Sequence, residues 1–240
     1  MKAINLFCLP YAGGDKYSYR KFEEVSPEFL RIMTLEYPGR GSRLDEPAIT
    51  DMYSLCDCLY RRIKDIAESG EYAIYGHSMG AVIACLLARK LISLNHPQPL
   101  HVFVSGTGGP SDCSRNEKKR HLMGKRELIR ELVELDGISK EISESEDFWN
   151  YFEPIVRADF AAIENYVYKE ELPLAVPFTV ITGLEEGMTS EEIQLWQKET
   201  TYAVDFRTMP GKHFFIFKSF RQIVEIISKK LLKHSKMEQI

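Results

Sequence analysis

The sequence predicts an α/β fold in which helices cover both faces of a mainly parallel β-sheet. Short runs of β-branched and aromatic residues alternate with longer segments in which apolar residues recur every three or four positions. This alternation is typical of repeated strand–helix units, whose helices pack on the sheet. The chain has 240 residues, 44% of them hydrophobic, so we expect residues 1–240 to form a single domain.

Six segments have the length and composition of strands. Each is a short run rich in aliphatic, β-branched or aromatic residues. They are residues 4–9, 31–36, 72–75, 101–105, 178–182 and 204–209. Their separation by helical segments predicts parallel pairing.

Three helices can be placed with these strands. Apolar side chains between residues 51 and 68 recur at intervals of three and four, which predicts an amphipathic helix with one buried face. Residues 81–91 are apolar almost all round, so this helix is expected to lie in the interior. A last amphipathic helix carries its apolar side chains at Phe217, Phe220, Ile223, Val224, Ile227 and Leu231.

Residues 108–172 interrupt the alternation of strands and helices. The segment opens with the loop signature Gly108-Gly109-Pro110-Ser111-Asp112, and helix-like stretches follow at residues 126–135, 146–152 and 155–168. We expect an insertion at about 108–172 that lies over the carboxyl edge of the sheet as a helical lid. Ordinary flanking helices are the alternative.

The pentapeptide Gly76-His77-Ser78-Met79-Gly80 lies between a predicted strand and the predicted interior helix. In this context a G-x-S-x-G sequence forms the nucleophile elbow of an α/β-hydrolase. The two glycines are needed because the sharp turn strains the serine backbone and brings strand and helix too close together for side chains. We therefore predict the α/β-hydrolase fold, with Ser78 as the catalytic nucleophile.

A serine hydroxyl needs a histidine to remove its proton, and in this fold the histidine follows both the serine and the acid along the chain. Of the six histidines, His77 belongs to the elbow, three precede any late acid, and His234 lies in the charged tail. His213 remains as the base. It follows a predicted strand and the turn Pro210-Gly211-Lys212, which places it on a loop at the carboxyl edge of the sheet.

The acid that orients the histidine is expected in the loop after the preceding strand, at residues 183–189. The acidic residues of that loop are Glu185 and Glu186. We favour Glu186, because a turn at Gly187 would bring it to the histidine while Glu185 points to solvent. Asp159 is a third candidate, although charge pairing with a neighbour such as Arg157 explains it better.

Two backbone N–H groups are expected to bind the oxyanion that forms during acyl transfer. One belongs to Met79, the residue after the nucleophile. The other is expected in the loop Leu9-Pro10-Tyr11-Ala12-Gly13-Gly14, whose glycines allow close backbone approach. Ala12 is the first candidate in this loop and Tyr11 the second.

The composition argues against several other classes of protein. The net charge is −4, with 31 basic and 35 acidic residues mixed along the chain, so no basic surface for nucleic acid is evident. No apolar run approaches the ~20 residues of a membrane-spanning helix, and the apolar N-terminal stretch is too short for a signal peptide. The five cysteines have the spacing of neither a disulfide framework nor a zinc site, which indicates a cytoplasmic protein without a bound metal.

Five motifs are spread over almost the whole chain. They are Pro10-Tyr11-Ala12-Gly13-Gly14, Tyr37-Pro38-Gly39-Arg40-Gly41-Ser42-Arg43, Gly76-His77-Ser78-Met79-Gly80, Arg157-Ala158-Asp159 and Gly211-Lys212-His213-Phe214-Phe215. Together they resemble the type II thioesterases of nonribosomal peptide and polyketide synthase clusters, and the second motif is more specific than the elbow.

This resemblance implies an enzyme that hydrolyses acyl thioesters from the phosphopantetheine arms of acyl or peptidyl carrier domains, and so frees blocked carriers. It implies Ser78 as nucleophile, His213 as base, and an acid at the fourth position of a Gly-x-x-Asp loop, which is Glu186 here. Glutamate thus replaces the usual aspartate. The reaction requires no metal or organic cofactor, and we expect the enzyme itself to be a monomer.

The residues alone leave two other functions open. The same triad serves oxygen esters and other acyl acceptors, as in a general serine carboxylesterase or acyltransferase. A hydrolase homologue that binds a ligand without catalysis is a further alternative.

Other side chains are candidates for contact with the substrate. Arg40 and Arg43 either attract the phosphate of the arm or an acidic carrier surface, or hold their loop in place over the sheet. Apolar residues of the predicted lid are candidates for the acyl pocket, although such residues also pack against the core: Met123, Phe148, Trp149, Phe152 and Phe160.

Overall fold

The computed structural model describes residues 3–114, 117–138 and 140–237, and these form a six-stranded parallel sheet with helices on both faces. The strands lie in the order β2-β1-β3-β4-β5-β6, and each neighbouring pair is parallel. The predicted α/β architecture is therefore confirmed. The strands are β1 (Ile4–Leu9), β2 (Leu30–Thr34), β3 (Tyr72–His77), β4 (Val102–Ser105), β5 (Phe178–Gly183) and β6 (Asp205–Met209).

The helices connect these strands or follow the last of them. They are α1 (Arg20–Val25), α2 (Met52–Ser69), α3 (Met79–Ser93), α4 (Lys125–Glu134), α5 (Lys140–Ser143), α6 (Glu146–Glu164), α7 (Ser190–Gln194) and α8 (Phe220–Met237). The Asp51 side chain caps α2 by accepting from the Ser54 N–H over 2.7 Å. Throughout the described segments, no helix combines the length and the apolar character needed to cross a membrane.

The core has one layer on each face of the sheet, because successive strand residues point to opposite faces. Phe7, Ile74 and Val104 face one layer, which the apolar sides of α2 and α3 complete. Leu6, Tyr75 and Phe103 face the other layer, against α1 and α8. The interior position predicted for the helix after the elbow is confirmed, since α3 is buried along most of its length.

Strand β2 ends two residues before the predicted limit of 36. The Leu35 N–H still donates to the Cys8 carbonyl over 2.9 Å, after which the chain turns at Pro38 and Gly39. Gly39 has a φ of 81°, a conformation that few residues other than glycine adopt.

Helices α4, α5 and α6 lie within the 108–172 segment, and its described residues contain no strand. The helix-like stretches expected at residues 146–152 and 155–168 belong to one helix, because α6 runs continuously through Pro154. A proline inside a helix costs about 3 kcal/mol. Here Trp149, Val156 and Phe160, on both sides of the proline, are buried in one apolar cluster with α4, and this packing offsets the cost.

Candidate active site

Ser78 lies in the sharp turn between β3 and α3, with φ 56° and ψ −120°. The turn is possible because Gly76 and Gly80 have no side chains. A Cβ at Gly76 would lie 2.0 Å from the Gly80 carbonyl oxygen, and a Cβ at Gly80 would lie 2.1 Å from the Leu9 carbonyl oxygen. The elbow therefore packs directly against the end of β1, where the loop with Ala12 begins.

Three side chains predicted as a catalytic set are joined by hydrogen bonds. His213 Nε2 lies 3.1 Å from Ser78 Oγ, and His213 Nδ1 lies 2.9 Å from Glu186 Oε1. An ionised carboxylate can only accept, so Nδ1 carries the proton of the neutral ring. Nε2 is then free to accept the proton of the Ser78 hydroxyl.

The loop after β5 presents Glu186 to the histidine and leaves Glu185 exposed. The Glu186 side chain is 2% exposed, and its Oε2 accepts from the Gly183 N–H over 2.6 Å. The Glu185 backbone N–H donates to the Gly211 carbonyl over 3.0 Å. Gly183 is needed at this crossing, because a Cβ there would lie 2.5 Å from the Gly211 oxygen.

The two predicted oxyanion donors lie at the start of α3 and in the loop after β1. Met79 is the first residue of α3, so its N–H has no acceptor within the helix. In the loop after β1, the Gly13 N–H donates to Asp159 Oδ2 over 2.7 Å and the Gly14 N–H donates to the Tyr11 carbonyl over 2.9 Å. These two donors are occupied, which favours Ala12 over the loop glycines.

His77 lies beneath the site as a neutral ring. It is fully buried, its Nδ1 lies 2.9 Å from Ser105 Oγ, and Tyr75 Oη lies 2.8 Å from the same oxygen. Burial lowers the pKa of His77 well below its ordinary value, and His213 acts in the same direction. With ring centroids 5.0 Å apart, a neutral His77 does not repel a positive charge on His213.

Asp159 is not paired with Arg157, contrary to the sequence-based expectation. Its carboxylate pairs with Arg40, with two hydrogen bonds of 2.6 Å each. Arg157 instead contacts Glu153, one turn earlier on α6, over 2.7 Å. Arg157 and Glu153 are four residues apart on the helix, a spacing at which oppositely charged side chains pair readily. Asp159 instead faces the protein interior, so it is not available to Arg157.

Arg43 is also buried. It contacts its own loop, whereas Arg40 joins that loop to α6 and to the loop after β1. Arg43 donates to the Glu36 carbonyl over 2.8 Å and forms an ion pair of 2.6 Å with Glu46. Of the two interpretations considered for these arginines, the contacts match the one in which they hold the loop in place.

One cavity borders the catalytic set, and a second lies beside Ala12. A cavity of about 240 Å³ is lined by Ser78, Met79 and His213. The rest of its wall is mixed, with apolar side chains at Leu135, Phe160, Ile163 and Met188 and polar or charged ones that include Asp112, Arg120 and Glu164. A larger cavity of about 660 Å³ borders Ala12, and its lining includes aromatic residues of α6 and of the chain after His213: Phe148, Phe152, Phe214 and Phe217.

Of the five apolar residues proposed for the acyl pocket, three line these cavities and two pack inside the 108–172 segment. Phe160 lines the smaller cavity, and Phe148 and Phe152 line the larger one. Trp149 and Met123 pack in the apolar cluster of α4 and α6. Across the described residues, no group of three or more His, Cys, Asp or Glu side chains is arranged to hold a metal ion.

Local sequence patterns did not identify two groups of residues beside the site. The first is the pair of Arg40 and Asp159, which are 119 residues apart. The second is the hydrogen-bonded set of Tyr75, Ser105 and His77. The sequence signal that could have found them is their position, because most of them lie at strand ends or within the five motifs described above.

Comparison with known proteins assigns the chain to a family. Residues 4–231 match the family model of the thioesterase domain. Linear gramicidin dehydrogenase LgrE of Brevibacillus parabrevis is 32% identical over 238 residues, which cover 95% of this chain and 88% of that protein.

Two solved structures share the fold over nearly their full length. ClbQ from the colibactin NRPS/PKS pathway has a TM-score of 0.92 at 28% identity, covering 98% of this chain and 100% of that one. The type II thioesterase BorB from the borrelidin biosynthetic cluster has a TM-score of 0.87 at 30% identity, covering 95% and 93%. The predicted α/β-hydrolase fold is confirmed, and the chain belongs to the thioesterase family, as a hydrolase of thioesters.

Proposed function

We propose that this thioesterase releases acyl groups from the phosphopantetheine arms of acyl or peptidyl carrier domains, with Ser78 as nucleophile, His213 as base and Glu186 as orienting acid. One observation carries the proposal. The Ser78 hydroxyl, the His213 ring and the Glu186 carboxylate form one chain of hydrogen bonds beside a cavity.

In the first half of the reaction, His213 Nε2 takes the hydroxyl proton as Ser78 Oγ attacks the thioester carbonyl carbon. The carbonyl oxygen becomes an oxyanion, which the N–H groups of Met79 and Ala12 bind. The carbon–sulfur bond then breaks, and the departing thiolate receives the proton from His213. The acyl group remains on Ser78 as an ester.

In the second half, His213 takes a proton from water as the water oxygen attacks the ester carbonyl carbon. The bond to Ser78 Oγ breaks, the serine recovers its proton from His213, and the free acid leaves. Glu186 keeps the ring in the required tautomer throughout and stabilises its positive form. A neutral His77 beneath the ring adds no opposing charge.

The two cavities have different roles in this proposal. The smaller cavity, at Ser78, holds the acyl group, and its size favours short acyl chains. The larger cavity, at Ala12 and Phe214, receives the phosphopantetheine arm. Residues of α6 line both cavities, and residues of α4 or its C-terminal end, Leu132 and Leu135, line one each, which supports the role of the 108–172 segment as a lid that shapes them.

The proposed setting is a cytoplasmic monomer that acts on carrier domains of a peptide or polyketide synthase. The origin of ClbQ and BorB in such biosynthetic pathways supports the partner. The five free cysteines are compatible with a reducing compartment. Light scattering of the purified protein tests the monomer, and a stable dimer would contradict it.

Hydrolysis of a panel of acyl-loaded carrier domains tests the function. The protein is expected to release short acyl groups, and Ser78→Ala, which stays folded, is expected to release none above the spontaneous rate. Matched oxygen esters serve as the comparison. If esters were turned over far more efficiently than carrier thioesters, the general carboxylesterase would be the better assignment.

The name of LgrE raises a second activity, that of a dehydrogenase. The present sequence contains no G-x-G-x-x-G segment, the fingerprint with which many dinucleotide-binding folds hold the pyrophosphate. Titration of the protein with NADH and NADPH, followed by cofactor fluorescence, separates the two activities. We expect no saturable binding.

A further inference from the structure

A buried ion pair joins helix α6 to the loop after β2. Arg40 Nη1 donates to Asp159 Oδ2 and Arg40 Nη2 donates to Asp159 Oδ1, each over 2.6 Å. Both side chains are only 2% exposed. Desolvation lowers the pKa of Arg40, but the adjacent carboxylate outweighs this effect and keeps the guanidinium charged. A pair buried this deeply tends to define one arrangement more than it adds stability.

The same pair holds the loop after β1 at two consecutive residues. The Gly13 N–H donates to Asp159 Oδ2 over 2.7 Å, and Arg40 Nη1 donates to the Gly14 carbonyl over 2.9 Å. The loop also packs against a side chain of α6, because a Cβ at Gly13 would lie 2.7 Å from Phe152 Cζ. Since Gly13 has no side chain, the loop backbone approaches the Phe152 ring directly.

Ala12 precedes the two residues held by the ion pair, and hydrogen bonds also hold the two residues before it. Tyr37 Oη donates to the Pro10 carbonyl over 2.7 Å, and the Gly14 N–H closes a turn on the Tyr11 carbonyl over 2.9 Å. The peptide that carries the Ala12 N–H is thus held on both sides. The direction of the Ala12 N–H bond therefore depends on the hydrogen bonds that fix the peptide groups before and after it.

We propose that Asp159, itself held by Arg40, is a positioning residue for the oxyanion hole: by binding the Gly13 N–H it directs the neighbouring Ala12 N–H toward the substrate carbonyl oxygen. This proposal rests on the function proposed above for Ser78 and Ala12. Because Asp159 lies on α6, the oxyanion hole is complete only when α6 is seated on the loop after β1. The position of α6 then controls the chemical step as well as access to the site.

Three double variants test this hydrogen bond without leaving one buried charge unpaired. Arg40→Met/Asp159→Asn removes both charges but keeps a side-chain oxygen that can accept from the Gly13 N–H. Arg40→Met/Asp159→Leu removes the acceptor as well, and Arg40→Met/Asp159→Ala is made in parallel as a smaller replacement. Arg157→Gln is the control, because it deletes an ion pair with Glu153 within α6.

Each variant is first checked for folding by circular dichroism. Then kcat and KM are measured with a short acyl thioester, together with the rate at which a fluorophosphonate labels Ser78. Both reactions place an oxygen in the oxyanion hole. The variants without an acceptor are therefore expected to lose about 10- to 100-fold in kcat and in labelling rate, with KM nearly unchanged.

The Asp159→Asn double variant is expected to retain most of both rates, and Arg157→Gln to match the wild type. Equal rates in the Asn and Leu or Ala double variants would overturn the proposal. A loss confined to KM, or an equal loss in Arg157→Gln, would do the same. The labelling rate does not depend on the natural substrate, so failure of the proposed function on carrier thioesters is a separate result.

Discussion

Individual residues at the site are held by contacts with distant parts of the chain. Ser78 adopts a φ of 56°, which a residue with a side chain tolerates only under constraint. That conformation directs its Oγ to within 3.1 Å of His213, 135 residues later. Glu186 then completes the set from a third loop, with its second oxygen bound to the Gly183 N–H.

Replacing Glu186 tests its role as the orienting acid. Glu186→Gln is expected to lower kcat about 10³- to 10⁴-fold with little change in KM, because an amide can stabilise the wrong tautomer of His213. Glu185→Gln is the matched change at the exposed neighbouring position. It is expected to leave kcat within about twofold of the wild-type value, because substitutions of solvent-exposed side chains usually have small effects. A large loss in Glu185→Gln alone would reassign the acid.

His77 predicts a specific pH dependence of stability. Its pKa in the folded protein lies well below the ordinary value, so the unfolded chain takes up a proton first as the pH falls. The free energy of unfolding is therefore expected to decrease below about pH 6.5, by up to ~1.4 kcal/mol per pH unit, and to level off below the folded pKa.

Urea unfolding of the wild type and of His77→Asn from about pH 8 to about pH 5 measures this effect. The variant lacks the titrating ring and is expected to have the shallower dependence on pH. If the free energy of unfolding depended on pH in the same way in the two proteins, His77 would take up its proton equally in the folded and the unfolded state, which would contradict this prediction.

At the scale of elements, the elbow depends on two backbone segments that approach each other closely. Gly80→Ala would place a Cβ 2.1 Å from the Leu9 carbonyl oxygen, so β1 and α3 would have to separate. We expect a loss of about 3 kcal/mol or more in the free energy of unfolding. Gly70→Ala, at the end of α2, is the control, because only Asn5 Nδ2 lies near its Cβ position, at 4.0 Å.

Thermal and urea unfolding of both variants measures their stability. The comparison shows whether Gly80→Ala destabilises the protein through crowding at the elbow or whether any glycine-to-alanine change does so. Gly70 has a φ of −165°, which alanine adopts without strain, so its variant is expected to match the wild type or exceed it slightly. Equal losses in the two variants would contradict the steric account of the elbow.

Most elements could be predicted from local patterns, because burial on one or both faces imposes a period on the sequence. The 72–75 strand, the 51–68 helix and the interior helix after Ser78 were placed within a few residues of β3, α2 and α3. The short helices α1 and α7 were missed, since six and five residues are too few to show a period. The continuity of α6 is not evident from local sequence, because a proline such as Pro154 disfavours a helix interior. The packing that keeps it helical involves residues on both sides of the proline.

The site was predictable where its chemistry has a fixed order along the chain. That order singled out His213 among the histidines, and a turn at Gly187 favoured Glu186 over Glu185. The pairing of Arg40 with Asp159 was not predictable, because no local pattern specifies which of many charges meet across 119 residues. For the same reason Asp159 was assigned to its sequence neighbour Arg157.

At the scale of the whole molecule, the parallel sheet brings these distant residues together. The loops that follow β1, β3 and β5, and the chain that follows β6, reach the same carboxyl edge. They supply Ala12, Ser78, Glu186 and His213 in that order. Helices α4 and α6 cover this edge and line the cavities beside it. The fold thus places the proposed nucleophile, its proposed base and a cavity at one position.

The most direct test of this account is detection of the acyl-enzyme by mass spectrometry. The protein is mixed with an acyl-loaded carrier domain, quenched within the first turnovers and digested. We predict the mass of the acyl group on the peptide that contains Ser78, and its absence in Ser78→Ala, which also leaves the carrier loaded. Release of the acyl group by Ser78→Ala at the wild-type rate, with no acylated peptide in either protein, would contradict the account.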